Sequence, residues 1–218
     1  MKYDLVIFDL DGTLLNTLED LAFACNTALA EFGFPRRSTE EVRTFIGNGV
    51  ARLIRRAVPE GTTDETIAEV LSRFKAIYTD NVNVHTVPYP GIPELLDALR
   101  AAGVKCAVNS NKVDNAVQLL CDAHFDGRLD LALGERRDIP KKPAPDGARR
   151  IMNTLGVTPE RTLYVGDGDA DLLTAQNAGI DSAWVSWGYR RREELAGIAI
   201  PRAFDDVEQL KLYILSES

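Results

Sequence analysis

Two aspartates, Asp9 and Asp11, stand two residues apart at the end of the apolar run Leu5-Val6-Ile7-Phe8, with Gly12 and Thr13 directly after them. Carboxylates this close are costly unless a cation or a proton joins them. The glycine lets the backbone turn and brings amide groups near a ligand. The stretch therefore asks for a metal ion. Further polar groups follow later apolar runs: Ser110-Asn111-Lys112 after Val104 to Val108, and Asp167 to Asp171 after Thr162 to Val165. Lys142-Pro143 lies in a loop region before a helix and supplies a cation. Each has a plain structural reading as well. Asp-Gly-Thr suits a turn, Ser110 suits a helix cap, and Asp167 and Asp171 suit the start of the next helix. Lys141 and Lys142 suit a solvated pair. It is the complementary chemistry of several such strand ends that points to one site.

These residues need elements to bring them together. Four apolar residues without alternation predict a strand buried on both faces at Leu5 to Phe8, although periodicity alone allows a short buried helix. From about Asn16 to Glu31 the apolar residues recur at helical intervals. Ser38 and Glu41 have the spacing of a capping box, and the helix they start breaks at Gly47-Asn48-Gly49. Further helices are predicted at Val50 to Val58 and from Glu65 to about Val82, with no strand between Leu15 and His85. From Pro88 onward helices and strands alternate: a helix from Pro93, strands at Val104 to Val108, Leu131 to Leu133, Thr162 to Val165 and Ser182 to Val185, and helices at Ala116 to Ala123, Asp146 to Leu155 and Leu172 to Ala178. Alternation of this kind argues for a parallel sheet covered on both faces, whose ligand crevice lies beyond the carboxyl ends of the strands. The expected architecture is an α/β, Rossmann-like parallel-sheet core interrupted by an inserted all-helical cap. Residues 1–15 and 86–218 form the core and residues 16–85 the insertion.

Composition narrows the function classes. The 218 residues are 45% hydrophobic and 27% charged, as in ordinary globular proteins. A formal charge of −8 argues against nucleic acid as the main partner, because phosphate backbones are bound by basic surfaces. An anionic substrate would need local positive charge. Three cysteines without paired spacing disfavour a disulfide framework and a zinc site and fit a reducing cytoplasm. No run approaches the roughly 18 apolar residues of a membrane span. Neither His85 nor His124 has neighbours at ligand or triad spacing, so both read as surface or packing residues.

In order and spacing the polar groups resemble the motifs of the haloacid dehalogenase-like hydrolases, most closely the phosphoglycolate phosphatase branch. Asp9-Leu10-Asp11-Gly12-Thr13 is similar to the first motif, Ser110 to the second, Lys142 to the third and Gly166 to Asp171 to the fourth. The resemblance spans nearly the whole chain. It implies that Asp9 attacks phosphorus and forms an aspartyl-phosphate, and that Asp11 protonates the leaving oxygen and later takes a proton from water. The implied cofactor is Mg²⁺, held by Asp9, the backbone carbonyl of Asp11, and Asp167. Lys142 and Ser110, with backbone amides near Gly12, would hold the phosphoryl oxygens, Thr13 and Asn111 would line the same pocket, and Asp171 would orient Lys142.

The resemblance further implies that the cap closes over the core and selects the substrate. Gly47, Asn48 and Gly49 would present backbone amides to the acid end of a small phosphorylated metabolite, 2-phosphoglycolate first, and Arg52 would pair with its carboxylate. A plain helix break explains the glycines equally well. The rival readings are a phosphosugar mutase on the same core and a non-catalytic phosphate-binding module. The intact set of Asp9, Asp11, Ser110, Lys142 and Asp167 disfavours the second. Monomer and homodimer stay equally open.

Overall fold

Leu5, Val6, Ile7 and Phe8 form strand β1 (Leu5–Phe8), and none of the four side chains reaches solvent. In the computed structural model, which describes residues 2–47 and 49–216, β1 is followed by β2 (Leu15–Asn16), α1 (Leu18–Glu31), α2 (Thr39–Phe45), α3 (Val50–Ala57) and α4 (Asp64–Asp80). Next come β3 (Val87–Pro88), α5 (Ile92–Ala101), β4 (Lys105–Val113), α6 (Asp114–Phe125), β5 (Leu131–Glu135) and α7 (Asp146–Leu155). The chain ends with β6 (Thr162–Gly166), α8 (Asp169–Ala178), β7 (Asp181–Val185), β8 (Ala203–Phe204) and α9 (Val207–Leu215). It divides into two units, Met1–Leu15 with Pro88–Ser218, and Asn16–Val87.

The first unit holds a six-stranded sheet of order β5-β4-β1-β6-β7-β8, every pair of which is parallel. Leu5 and Ile7 share a core cluster with Ala148, Ile151 and Met152 of α7 and Ala175 of α8. Side chains alternate along a strand, so Val6 and Phe8 point to the opposite face, where they are equally buried. Burial on both faces explains why β1 reads as an unbroken apolar run. Each such side chain contributes about 1.5–3 kcal/mol relative to an exposed position.

The second unit is the inserted helical one, α1 to α4. The predicted capping box starts α2: Ser38 Oγ accepts from Glu41 N at 3.2 Å while Ser38 N donates to Glu41 Oε2 at 2.8 Å. Asp20, on α1, is 1% exposed and ties down the segment that closes this unit. It accepts from the amides of His85 (2.9 Å) and Thr86 (3.0 Å) and from the Thr86 hydroxyl (2.7 Å), and lies 3.0 Å from His85 Nδ1. Burial pushes the Asp20 carboxyl up, but the hydrogen bonds from Thr86 and His85 together outweigh it and hold it below the usual range.

Four elements differ from the sequence reading. Asn16 belongs to β2, so a strand touches the border of the segment expected to lack one. Strand β4 extends past Val108 to Val113, because pairing with β5 resumes at Val113 opposite Glu135 after a register shift beyond Asn109. Ser110, Asn111 and Lys112 therefore sit within the strand rather than after it. The last strand and helix, β8 and α9, were not anticipated. A two-residue strand has no period to detect, but the Asp206-to-Gln209 cap of α9, with Gln209 N donating to Asp206 Oδ1 at 2.8 Å, has a sequence signature.

Candidate active site

Strand register assembles the site. Phe8 is level with Val108 of β4 on one side and Val165 of β6 on the other, so Asp9, Ser110 and Asp167 emerge at the same end of the sheet. Strand order also reverses at β1, with β4 and β5 on one side and β6, β7 and β8 on the other. That reversal opens the crevice in which sheets of this kind bind ligands. The amide of Asp9 donates to Val165 O at 2.9 Å and fixes the nucleophile candidate at the strand end.

Four carboxylates and two ammoniums meet here. Lys142 Nζ lies 2.8 Å from Asp9 Oδ1 and 2.7 Å from Asp171 Oδ1. Asp171 Oδ2 accepts from Gly168 N at 3.0 Å, which anchors Asp171 at the start of α8. Burial alone would drive the proton off Lys142, but Asp171 and Asp9 outweigh it and hold the ammonium protonated, well above its ordinary range. Asn111 holds the lysine's backbone from both sides: Lys142 N donates to Asn111 Oδ1 at 2.8 Å and Asn111 Nδ2 donates to Lys142 O at 3.1 Å. Lys112 Nζ, unassigned from the sequence, pairs with both oxygens of Asp11 at 2.7 and 2.9 Å. Ser110 Oγ accepts from Lys112 N at 3.2 Å, and its hydroxyl proton remains to be donated.

Asp167 is braced by Trp184 of β7, by Thr13 and by the loop that follows β7, Ser186 to Arg190. Its Oδ2 accepts from Tyr189 N at 2.6 Å, its backbone carbonyl accepts from Trp184 Nε1 at 2.8 Å, and Thr13 Oγ1 donates to its Oδ1 at 3.3 Å. Trp187 Nε1 donates to Thr13 O at 3.1 Å. Gly12 and Gly188 are required by this close packing. A methyl group on Gly12 would stand 2.6 Å from Asp167 Oδ2, and one on Gly188 would stand 2.2 Å from Asp167 Cβ. The Gly12 amide donates to Leu15 O at 2.9 Å.

The residues fit a divalent cation. Asp9, Asp167 and Asp171 each offer a carboxylate oxygen, all within 4.8 Å of one another. Asp9 Oδ1 is buried and makes no well-directed hydrogen bond despite its ion pair with Lys142. Burial, and then the charge of Asp171, push the Asp9 carboxyl up to about 8 against the pull of Lys142. The same two causes push Asp167 up to about 7, opposed by the Tyr189 amide. Four carboxylates against two ammoniums leave an excess of two negative charges when all are ionised, which one divalent cation would balance. Asp171 is held by the Lys142 ammonium and the Gly168 amide, and the Asp11 side chain by the Lys112 ammonium. Asp167 accepts from neutral donors, the Tyr189 amide and the Thr13 hydroxyl, and Asp9 Oδ1 makes no well-directed hydrogen bond, so these two are the better placed side-chain ligands.

The predicted residues on the helical unit are placed as follows. Gly47 and Gly49, at φ 110° and 87°, break the chain between α2 and α3, and Arg52 is exposed on α3. Asn48 lies outside the described residues.

A family model described as haloacid dehalogenase-like hydrolase matches residues 6–185. The chain belongs to the haloacid dehalogenase-like hydrolases. Within that family it falls in the phosphoglycolate phosphatase-like branch. A phosphoglycolate phosphatase of Aquifex aeolicus is 34% identical over 212 residues, covering 96% of this chain and 98% of the relative. A solved structure from Lactobacillus delbrueckii subsp. bulgaricus, 36% identical, superposes with a TM-score of 0.94 over all of both chains. CbbY from Rhodobacter sphaeroides, solved in complex with phosphate, is 28% identical with a TM-score of 0.72 over 95% of this chain and 96% of its own. As a haloacid dehalogenase-like hydrolase of this branch, the protein is an enzyme, a phosphoric monoester hydrolase.

Proposed function

We propose that the enzyme is a Mg²⁺-dependent phosphatase of a small phosphorylated acid, 2-phosphoglycolate first, working through an aspartyl-phosphate on Asp9. The observation that carries this reading is the pairing at the end of β1: Asp9 beside the Lys142 ammonium, and Asp11 two residues on, held separately by Lys112. Asp9 attacks phosphorus and displaces the alcohol oxygen, which takes a proton from Asp11. Water then attacks the aspartyl-phosphate while Asp11 takes its proton, releasing phosphate and restoring Asp9. Lys142 and the Ser110 hydroxyl hold the phosphoryl oxygens as charge develops on them. Asp9, Asp167 and the Asp11 carbonyl would hold Mg²⁺, whose charge would lower the repulsion between the anionic nucleophile and the anionic phosphate. The helical unit, through Gly47, Asn48, Gly49 and Arg52, selects for the substrate's carboxylate. The relatives named phosphoglycolate phosphatase support the substrate assignment.

The test is a panel of phosphate esters assayed with Mg²⁺ and with EDTA. Turnover should require the metal and favour 2-phosphoglycolate over neutral sugar phosphates, and Arg52→Ala should erase that preference. Asp9→Asn should abolish turnover while leaving the circular dichroism spectrum unchanged. Metal-independent turnover, or an Asp9→Asn variant near wild-type activity, overturns the mechanism.

A further inference from the structure

Lys112 is buried, with its side chain 3% exposed, and its ammonium grips both carboxylate oxygens of Asp11, whose own side chain is 17% exposed. Burying an ammonium and ordering a long flexible side chain are both unfavourable. A leucine or methionine would fill much the same space without burying a charge. The placement gains by what it fixes. The backbone of Asp11 is bridged to Leu15, leaving side-chain rotation as its main freedom, and a two-oxygen ion pair removes that freedom. The grip comes from the strand that carries Ser110, since Lys112 N donates to Ser110 Oγ. One segment of β4 thus sets the Ser110 hydroxyl and the Asp11 carboxylate together. The two ammoniums divide the carboxylates: Lys142 takes Asp9 and Asp171, and Lys112 takes Asp11.

We infer that Lys112 is a positioning residue of the phosphatase reaction, holding Asp11 in the orientation from which it serves the leaving oxygen. This rests on the proposed role of Asp11 as proton donor. In that step Asp11 carries a proton on the oxygen that faces the ester while Lys112 donates to its other oxygen. The bond from phosphorus to the ester oxygen breaks, the bond from Asp9 to phosphorus forms, and that proton moves to the departing alkoxide, leaving Asp11 as the carboxylate that Lys112 grips by both oxygens. A misaligned Asp11 loses the proton transfer and leaves the attack by Asp9 untouched. The loss is therefore large for an alkyl leaving group, which needs the proton, and small for an aryl leaving group, which departs as a stable anion.

The experiment compares kcat/KM for an alkyl ester, 2-phosphoglycolate, and an aryl ester, p-nitrophenyl phosphate, in wild type and Lys112→Met, with Mg²⁺ present. This ratio reports the steps through formation of the aspartyl-phosphate. The alkyl ester should lose about 100-fold or more and the aryl ester less than about fivefold. Asp11→Asn should show the same asymmetry, and adding Lys112→Met to it should change little. Lys112→Gln, which keeps a hydrogen bond, provides a second variant should the methionine chain fail to fold. An equal fall on both esters assigns Lys112 a structural role and overturns the inference, as does no fall on either. If Asp11→Asn affects both esters equally, the fault lies in the proton-donor role itself. A wild-type chain that hydrolyses neither ester with Mg²⁺ defeats the parent reading and this one with it.

Discussion

Lys142 is the residue on which the site's charge balance turns. It stands between Asp9 and Asp171, is 6% exposed, and is kept protonated by those two carboxylates. Removing one partner of a buried ionic cluster leaves the others uncompensated, a loss of about 3–5 kcal/mol. Lys142→Ala should therefore lower stability by about that amount in urea unfolding with EDTA present, and Mg²⁺ should restore part of it. Activity should fall by at least about 100-fold, since a donor to the developing negative charge is gone. If Lys142→Ala kept wild-type stability in EDTA, the lysine would not be the counter-ion the distances describe. The cysteines offer a contrast. Cys25, Cys106 and Cys121 are buried and unpaired by disulfides, and burial pushes all three thiols up to about 12, which leaves them inert packing residues.

At the level of elements, the loop after β7 and the clamp on α1 carry their own predictions. Gly188 lets the loop lie against Asp167, so Gly188→Ala should displace that carboxylate and weaken Mg²⁺ binding about tenfold, the order seen when the support of a metal ligand is disturbed. Isothermal titration calorimetry reads this directly, and unchanged affinity would remove the loop from the metal site. In the helical unit, Asp20→Asn weakens the charge-assisted bonds to His85 and Thr86, with an expected loss of about 2–3 kcal/mol in chemical unfolding. The sign of the pH effect follows from Asp20 being held below its unfolded value. Its stabilisation is complete above about pH 4 and is lost as pH falls through the folded value. Asp20→Asn should therefore flatten the acid limb of the stability profile. An unchanged limb would place the acid sensitivity elsewhere.

Considered as a whole, the core gathers four carboxylates around two ammoniums, and a cation that binds only the folded chain stabilises it by mass action. Mg²⁺ at about 100 times its Kd should contribute about 2.7 kcal/mol, raising the melting temperature by roughly 5–10 °C for a chain of this size. Asp167→Asn should lose most of that response, and a full response in the variant would exclude Asp167 as a ligand. Among the described residues no helix is long and apolar enough to cross a membrane.

Much of this was legible in the chain before any coordinates. Leu5 to Phe8 reads as a doubly buried strand because it lacks alternation, with a short buried helix as the alternative, and Asp9 and Asp11 follow directly at its end. The capping pair Ser38 and Glu41, and helix α7 ending before Gly156, are local hydrogen-bond and backbone requirements written within a few residues. What sequence could not decide were contacts between residues far apart in it. Lys112 finds Asp11 across 101 positions and Tyr189 finds Asp167 across 22, and no local pattern marks either partner. Asp20 looks like any acid in a first helical turn, yet it closes the helical unit on His85 and Thr86. Composition and spacing determined which chemistry the chain carries, because residue types and strand ends are local properties. The parallel register and the reversal of strand order at β1 decided which of those residues meet, because those are set only when strands from across the whole chain pair.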